Sequence, residues 1–236
     1  MGLLDRTKKI YDWVPESKKI LDLGCSTGDL TAFFLNKSKE VYGVDIDKIL
    51  IAKAKKKYDK IHFYCAKGEK IPFKNNFFDI VVMGDVLEHV SDEKKTLEEV
   101  YRVLNPNGAL ILSVPHKGLF RFIDSFNMKF YFPKLYKLWK GKNYNPNVYQ
   151  IQPWHRHYSL NDLKNLFGKK FKIKKMHRGG FIIFPLAWLL GDMISDCFGN
   201  KLKFLRSVIS YLSHIEYNIP FGPFGYSIIV YAKKRV

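Results

Sequence analysis

The segment Leu21-Asp22-Leu23-Gly24-Cys25-Ser26-Thr27-Gly28-Asp29-Leu30 constrains this chain more than any other. An apolar run enters a turn marked by two glycines and leaves it as a helical pattern, the join between a buried parallel strand and the helix behind it. Gly24 and Gly28 let a ligand approach the backbone where a side chain would collide. A dinucleotide fingerprint needs a third glycine where Ser26 stands, so a pyrophosphate on the helix end is disfavoured and an adenosine-like ligand without phosphate fits better. Asp45 closes the next apolar run, 21 residues after Gly24. A carboxylate there can accept hydrogen bonds from both hydroxyls of a ribose.

Around this join, short apolar runs alternate with helical patterns, as in a parallel α/β sheet. Lys19 to Gly24, Glu40 to Asp45, Ile61 to Cys65, Asp79 to Gly84 and Ala109 to Val114 read as five strands. Asp29 to Asn36, Asp47 to Tyr58 and Asp92 to Leu104 read as helices, the last two opened by an Asp that can cap free N–H groups. Asn105-Pro106-Asn107-Gly108 reads as the turn into the fifth strand. Three scattered cysteines exclude a disulfide framework and a zinc cage, and suit a reducing, cytoplasmic setting. Asp5, Arg6, Lys8 and Lys9 interrupt any export signal, and the longest apolar run, Phe181 to Gly191, is about half the ~20 residues that span a bilayer.

Four segments in this order resemble the class I S-adenosylmethionine-dependent methyltransferases, and among them the methyltransferase type 11 group. They are LDLGCSTGDL at 21 to 30, VDID at 44 to 47, GEKIPFKNNFFDIVVMGDVLEHV at 68 to 90 and EEVYRVLNPNGALILSVP at 98 to 115. The resemblance implies a Rossmann-like α/β fold: a seven-stranded, mostly parallel sheet with the last strand antiparallel and helices on both faces. It implies S-adenosyl-L-methionine as cofactor, with Asp22, Gly24, Ser26 and Gly28 at its methionine end, Asp45 on the ribose and Ile46 on the adenine. Lys67 stands where the family has an acidic residue for the adenine amino group. Lysine accepts no hydrogen bond, so that contact falls to Gly68 or Glu69. Asp85 and Leu87 would border the sulfonium, with Glu88 and His89 beside them, His89 toward the substrate.

Residues 1 to 115 hold 19 Lys and Arg against 17 Asp and Glu, whereas 116 to 236 hold 21 against 5. Twelve aromatics lie in the first part and 25 in the second. A cofactor-binding half, 1–115, is thus followed by a basic, aromatic, substrate-side half, 116–236, with insertions at about 117–158 and 178–225. That imbalance suggests an anionic partner or a generally lysine-rich surface. His116 follows the fifth strand, where parallel sheets bind ligands. It joins His155 and His157 as a candidate general base, with Arg156 and Tyr158 as substrate contacts. No acidic residue lies near the pair in sequence, and no metal is expected. Phe171 to His177 and Tyr226 to Lys233 read as strands six and seven.

Between those two strands an apolar wedge, Arg178 to Leu190, precedes a basic amphipathic stretch, Lys201 to Ile209, a pattern suited to a bilayer interface. It could equally pack into the protein's own core. The leading expectation is methyl transfer to a lipid, prenylated or lipid-linked acceptor, by a cytoplasmic protein peripheral to the inner membrane face. A soluble sugar or secondary metabolite is the alternative, and an RNA-binding protein or RNA methyltransferase is the alternative of another class. Nucleic acid is the weaker partner. The chain has no Asn- or Asp-Pro-Pro-aromatic motif for base amines and no cysteine pair for covalent attack on a pyrimidine. The sequence leaves the oligomeric state and the acceptor atom open.

Overall fold

The computed structural model describes residues 3, 5–124, 127–141, 155–198 and 202–235. The strands are β1 (Lys19–Leu23), β2 (Glu40–Asp45), β3 (His62–Cys65), β4 (Phe78–Gly84), β5 (Leu104–Pro115), β6 (Phe171–Gly179) and β7 (Ser227–Lys234). The helices are α1 (Asp5–Trp13), α2 (Asp29–Phe33), α3 (Lys48–Lys57), α4 (Glu93–Val103), α5 (Met128–Tyr131), α6 (Pro133–Lys140), α7 (Leu160–Phe167), α8 (Ile183–Phe198) and α9 (Lys203–Asn218). One seven-stranded sheet has the order β3-β2-β1-β4-β5-β7-β6, with six strands parallel and the last antiparallel.

The near-continuous burial of β1, β2, β4 and β5 explains their apolar runs, because a strand covered on both faces has no polar side to alternate with. Asp47 caps α3 by accepting from the N–H groups of Ile49 (2.7 Å) and Leu50 (3.1 Å), and Asp92 caps α4 by accepting from Lys95 N–H (3.0 Å). Each satisfies donors that a helix start leaves orphaned.

Two features depart from the sequence expectations. The residues Asn105 to Gly108 do not precede β5 but interrupt it: Phe78 pairs with Leu104 and Ile80 with Ala109, so the turn is an excursion inside the strand, with Asn107 at φ 62°. Helix α1 lies where the sequence reading places no element. It buries Ile10, whose Cδ1 lies 3.5 Å from where a Cβ on Gly84 would stand.

The chain divides into two compact units, the first comprising Met1–Val114, Leu160–Met176 and Ile229–Val236. The second comprises Pro115–Ser159 and His177–Ile228, so the two insertions read separately in the sequence form a single unit. In this second unit α8 packs on α9, with Phe184 and Tyr217 buried and their rings 4.7 Å apart. His177 Nε2 lies 2.8 Å from Tyr217 carbonyl oxygen, and the Tyr217 hydroxyl donates to Ser227 Oγ at 3.2 Å.

Candidate active site

The sheet order reverses between β1 and β4: β1 is followed on one side by β2, and β4 on the other by β5. Loops leaving such a switch point in opposite directions open a crevice at the carboxyl ends of the strands. Two non-glycine residues with left-handed backbone stand there, Ser26 (φ 50°) after β1 and Asp85 (φ 53°) after β4. Such conformations cost about 1 kcal/mol or more and persist where surrounding structure fixes them.

Asp45 fixes the first. Its Oδ2 accepts from Ser26 N–H at 2.8 Å and its Oδ1 from Asp47 N–H at 2.9 Å. An ionised carboxylate offers about four acceptor positions, so each oxygen retains capacity for a ligand hydroxyl. Next to it, Ile46 is 52% exposed, an apolar side chain without cover in the protein and fit to carry a flat ring. Asp22 lies beneath the turn, 3% exposed, accepting from the Thr31 hydroxyl at 2.6 Å. Burial pushes its carboxyl up to about 6, the Thr31 hydrogen bond opposing and the Asp45 charge adding to the rise. Burial also drives the Cys25 thiol well above its ordinary range, so it stays neutral and is no nucleophile.

The glycines have a reason beyond ligand access. At Gly24 (φ 81°) a Cβ would stand 2.2 Å from Val86 Cγ2, and at Gly28 (φ 80°) 2.6 Å from Phe63 Cζ. Both positions need left-handed backbone and are closed by the protein's own side chains.

Asp85, the second strained residue, is held by its neighbours. Its N–H donates to Ser113 carbonyl oxygen at 3.0 Å, Ser113 Oγ donates to its Oδ1 at 2.9 Å, and Arg6 of α1 forms an ion pair with its Oδ2. Arg6 and Thr31 carry no motif and are visible only in three dimensions.

Three residues expected to meet the cofactor have other surroundings. Leu87 is fully buried and supports the turn from within. Glu69 accepts from Ser91 Oγ (2.6 Å), Ser91 N–H (2.8 Å) and Asp92 N–H (3.2 Å), tying down the approach to α4. Burial alone would raise its carboxyl, but these bonds bring it below the ordinary range. At Gly68 a Cβ would stand 3.1 Å from Thr96 Cγ2, so close packing on α4 accounts for this glycine. Glu88 is buried and His89 exposed.

The second unit holds the histidines. His116 is a buried tie: Nδ1 lies 2.8 Å from Gly225 carbonyl oxygen, while its N–H donates to Tyr226 carbonyl oxygen at 2.7 Å. Tyr158, 4% exposed, is a core residue of this unit rather than a surface contact, and Arg156 is half-buried. His155 and His157 do have an acidic partner, 31 and 33 residues upstream, where no local pattern could point to it. Asp124 Oδ2 lies 2.5 Å from His155 Nδ1 and 3.2 Å from His157 Nε2. Burial alone would raise the Asp124 carboxyl, yet the two imidazoles hold it down to about 2. A carboxylate only accepts, so His155 Nδ1 carries a proton toward Asp124. Trp154 and the insertion residues 142–153 lie outside the described residues.

Residues 21–112 match the family model described as a methyltransferase domain. Among curated proteins, the chain is similar to the ubiquinone/menaquinone biosynthesis C-methyltransferase UbiE of Psychromonas ingrahamii. That match is 34% identical over 140 residues, 53% of this chain and 55% of the relative. The protein of the same description from Wigglesworthia glossinidia brevipalpis is 29% identical over 164 residues, 64% of this chain and 65% of the relative. The chain spans about half the length of the curated relatives it matches.

Among solved structures, a TehB-like SAM-dependent methyltransferase of Corynebacterium glutamicum is similar at TM-score 0.59 and 14% identity, over 99% of this chain and 89% of that one. The cyclase SpnF is similar at TM-score 0.60 and 16% identity, over 98% and 80%. Those likenesses establish the fold. A cyclase among them illustrates that the fold alone does not choose a reaction.

Proposed function

We propose that the chain, whose residues 21–112 match a methyltransferase domain, is a class I S-adenosylmethionine-dependent methyltransferase that transfers the donor's methyl group to a lipid, prenylated or lipid-linked acceptor at the cytoplasmic face of a membrane. One observation carries the donor side: Asp45, with each oxygen anchored by one backbone N–H, stands beside the strained Ser26 at the switch point. An S-adenosylmethionine ribose finds its hydroxyl acceptor there, and the exposed Ile46 offers an apolar plane for adenine. Asp22, Gly24, Ser26 and Gly28 would hold the methionine end.

Bound there, the donor supplies a methyl group already activated on a sulfonium. What remains for the chain is to orient it, keep water away and receive the acceptor's proton. Asp22 suits a positive ligand, because a nearby cation favours its ionised form and offsets the burial that now raises its carboxyl.

On the acceptor side, the named activity of the UbiE relatives is carbon methylation in ubiquinone and menaquinone biosynthesis, which favours a lipid-like acceptor here. The exposed apolar side chains of the second unit favour the same reading.

Calorimetric titration with S-adenosylmethionine tests the donor side. The wild-type chain should bind at one site, and Asp45→Ala should weaken binding at least tenfold. Unchanged binding in that variant would overturn the assignment of Asp45. For the acceptor, methyl-labelled S-adenosylmethionine is incubated with the protein and a whole-cell extract, then organic, aqueous, RNA and protein fractions are counted. Label in the organic phase is the expected result. Label confined to the RNA or to the aqueous small molecules would overturn the lipid acceptor.

A further inference from the structure

Helix α9 buries Tyr217 but turns a longer run of apolar side chains to water. Helices on globular proteins turn their apolar stripe inward and their polar face to water. Here Ser213 and Glu216 are buried, 1% and 8% exposed, while Phe204 is 83% and Tyr211 62% exposed. Leu205, Val208, Leu212 and Ile215 are also exposed. With Phe204 and Tyr211 they follow helical spacing and fall on one face, a continuous apolar stripe. Isolated exposed apolar residues are ordinary, but a contiguous stripe marks an interaction surface.

Charge selects the occupant. The second unit carries twelve Lys and Arg against four Asp and Glu. Two of those four acids are turned inward: Asp124 sits between His155 and His157, and Glu216 accepts from the backbone N–H groups of Phe181, Ile182, Ile183 and Phe184 at 2.7–3.0 Å. Glu216 is the only acid in α9, so the helix turns no carboxylate outward. Helix α6 repeats the pattern, with Leu135 and Leu138 exposed, 53% and 79%, beside the exposed Lys134 and Lys137. A second copy of this unit would bring the same positive charge to the contact. An anionic bilayer offers an apolar interior to the stripe and phosphates to the cations at once. Among the described residues no helix is long and apolar enough to cross a membrane, so contact is made from the surface.

We propose that the second unit docks on an anionic lipid surface, with α9 lying in the interface and its Phe204–Ile215 stripe entering the acyl boundary. The purpose of that docking rests on the lipid-acceptor reading, but its physical basis does not.

The full chain is mixed with vesicles of phosphatidylcholine alone or of equal parts phosphatidylcholine and phosphatidylglycerol, and floated on a density gradient. Flotation should occur with the anionic vesicles and fall at least about tenfold with the neutral ones, and rising salt should release the protein. The double substitution Phe204→Glu with Ile215→Glu should cut anionic binding at least about tenfold, and Lys134→Glu with Lys137→Glu should weaken it severalfold. Hydrogen exchange across α8 and α9 of each variant checks that the second unit remains folded, because the donor site lies in the first unit.

Wild-type protein that ignores both vesicles would overturn the proposal, as would vesicle binding untouched by the Phe204 and Ile215 substitutions. If those substitutions instead dissolve a dimer seen by sedimentation, the stripe is a contact between copies and the lipid surface is refuted. Label in the aqueous phase together with intact vesicle binding would refute the lipid acceptor alone and leave the docking in place.

Discussion

Asp22 shows how much a single buried group can carry. Its carboxyl lies at about 6 in the folded chain against an ordinary 3.8. Between those values the folded state holds a proton that the unfolded state has lost, so stability falls as pH rises from about 4 through about 6. The shift corresponds to about 3 kcal/mol by pH 7. Asp22→Asn keeps an oxygen for the Thr31 hydroxyl and removes the ionisation. Urea unfolding of the ligand-free variant should therefore show the slope over pH 4 to 6 reduced, and at pH 7 the variant should be the more stable protein. An unchanged pH slope would sink the assignment. Titration at pH 7 should show the cost of the change, weaker S-adenosylmethionine binding. The positions of Asp22, Gly24, Gly28 and Asp45 were legible in the sequence because a strand, a glycine turn and the next strand end form one local pattern. Arg6 on Asp85 and Asp124 on the two histidines were not, because each pair joins residues whose separation obeys no period.

At the scale of elements, α8 depends on α9 for its start. Glu216 supplies the acceptor for four N–H groups, from Phe181 to Phe184, which a helix start cannot pair within itself. Hydrogen bonds to a charged acceptor contribute about 1.5–3 kcal/mol each, and a negative charge there also suits the helix dipole. Glu216→Ala should cost the second unit on the order of 3 kcal/mol in thermal or urea unfolding, with Glu216→Gln intermediate because one amide oxygen can still accept. Equal stability of all three proteins would show the cap to be idle. The sequence displayed the apolar wedge from Arg178 to Leu190 but not its cap, which comes 32 to 35 residues later on another helix. Strand β5 teaches the complementary lesson. Asn105-Pro106-Asn107-Gly108 has turn chemistry, and the chain does turn there, yet pairing of Leu104 with Phe78 keeps the residues on both sides within one strand.

Across the whole molecule, the basic excess of residues 116 to 236 separates into two causes. The stretches Leu160–Met176 and Ile229–Val236, which belong to the first unit, hold nine Lys and Arg against the single Asp162. Lys172, Lys174 and Lys175 lie on β6, an edge strand of the sheet, where charge discourages pairing with another chain. About half of the excess thus belongs to the first unit, three of its lysines on a sheet edge, and the remainder belongs to the second unit. Composition alone could not divide it, because β6 and β7 alternate with the insertions along the chain.

The same interleaving sets an expectation for dynamics. The first unit is built on β1, β4 and β5, whose core residues Ile20, Leu21, Val81, Val82, Leu110 and Ile111 are wholly buried. The second unit presents an apolar stripe to water and buries polar groups, so less apolar burial holds it together. Native-state hydrogen exchange should find the slowest amides in β1, β4 and β5 and faster ones in α9, with Glu216→Ala accelerating α8 and α9 while leaving β1 unchanged. If β1 and α9 instead exchange together, with equal response to that substitution, the two units unfold as one and the independence of their cores is refuted.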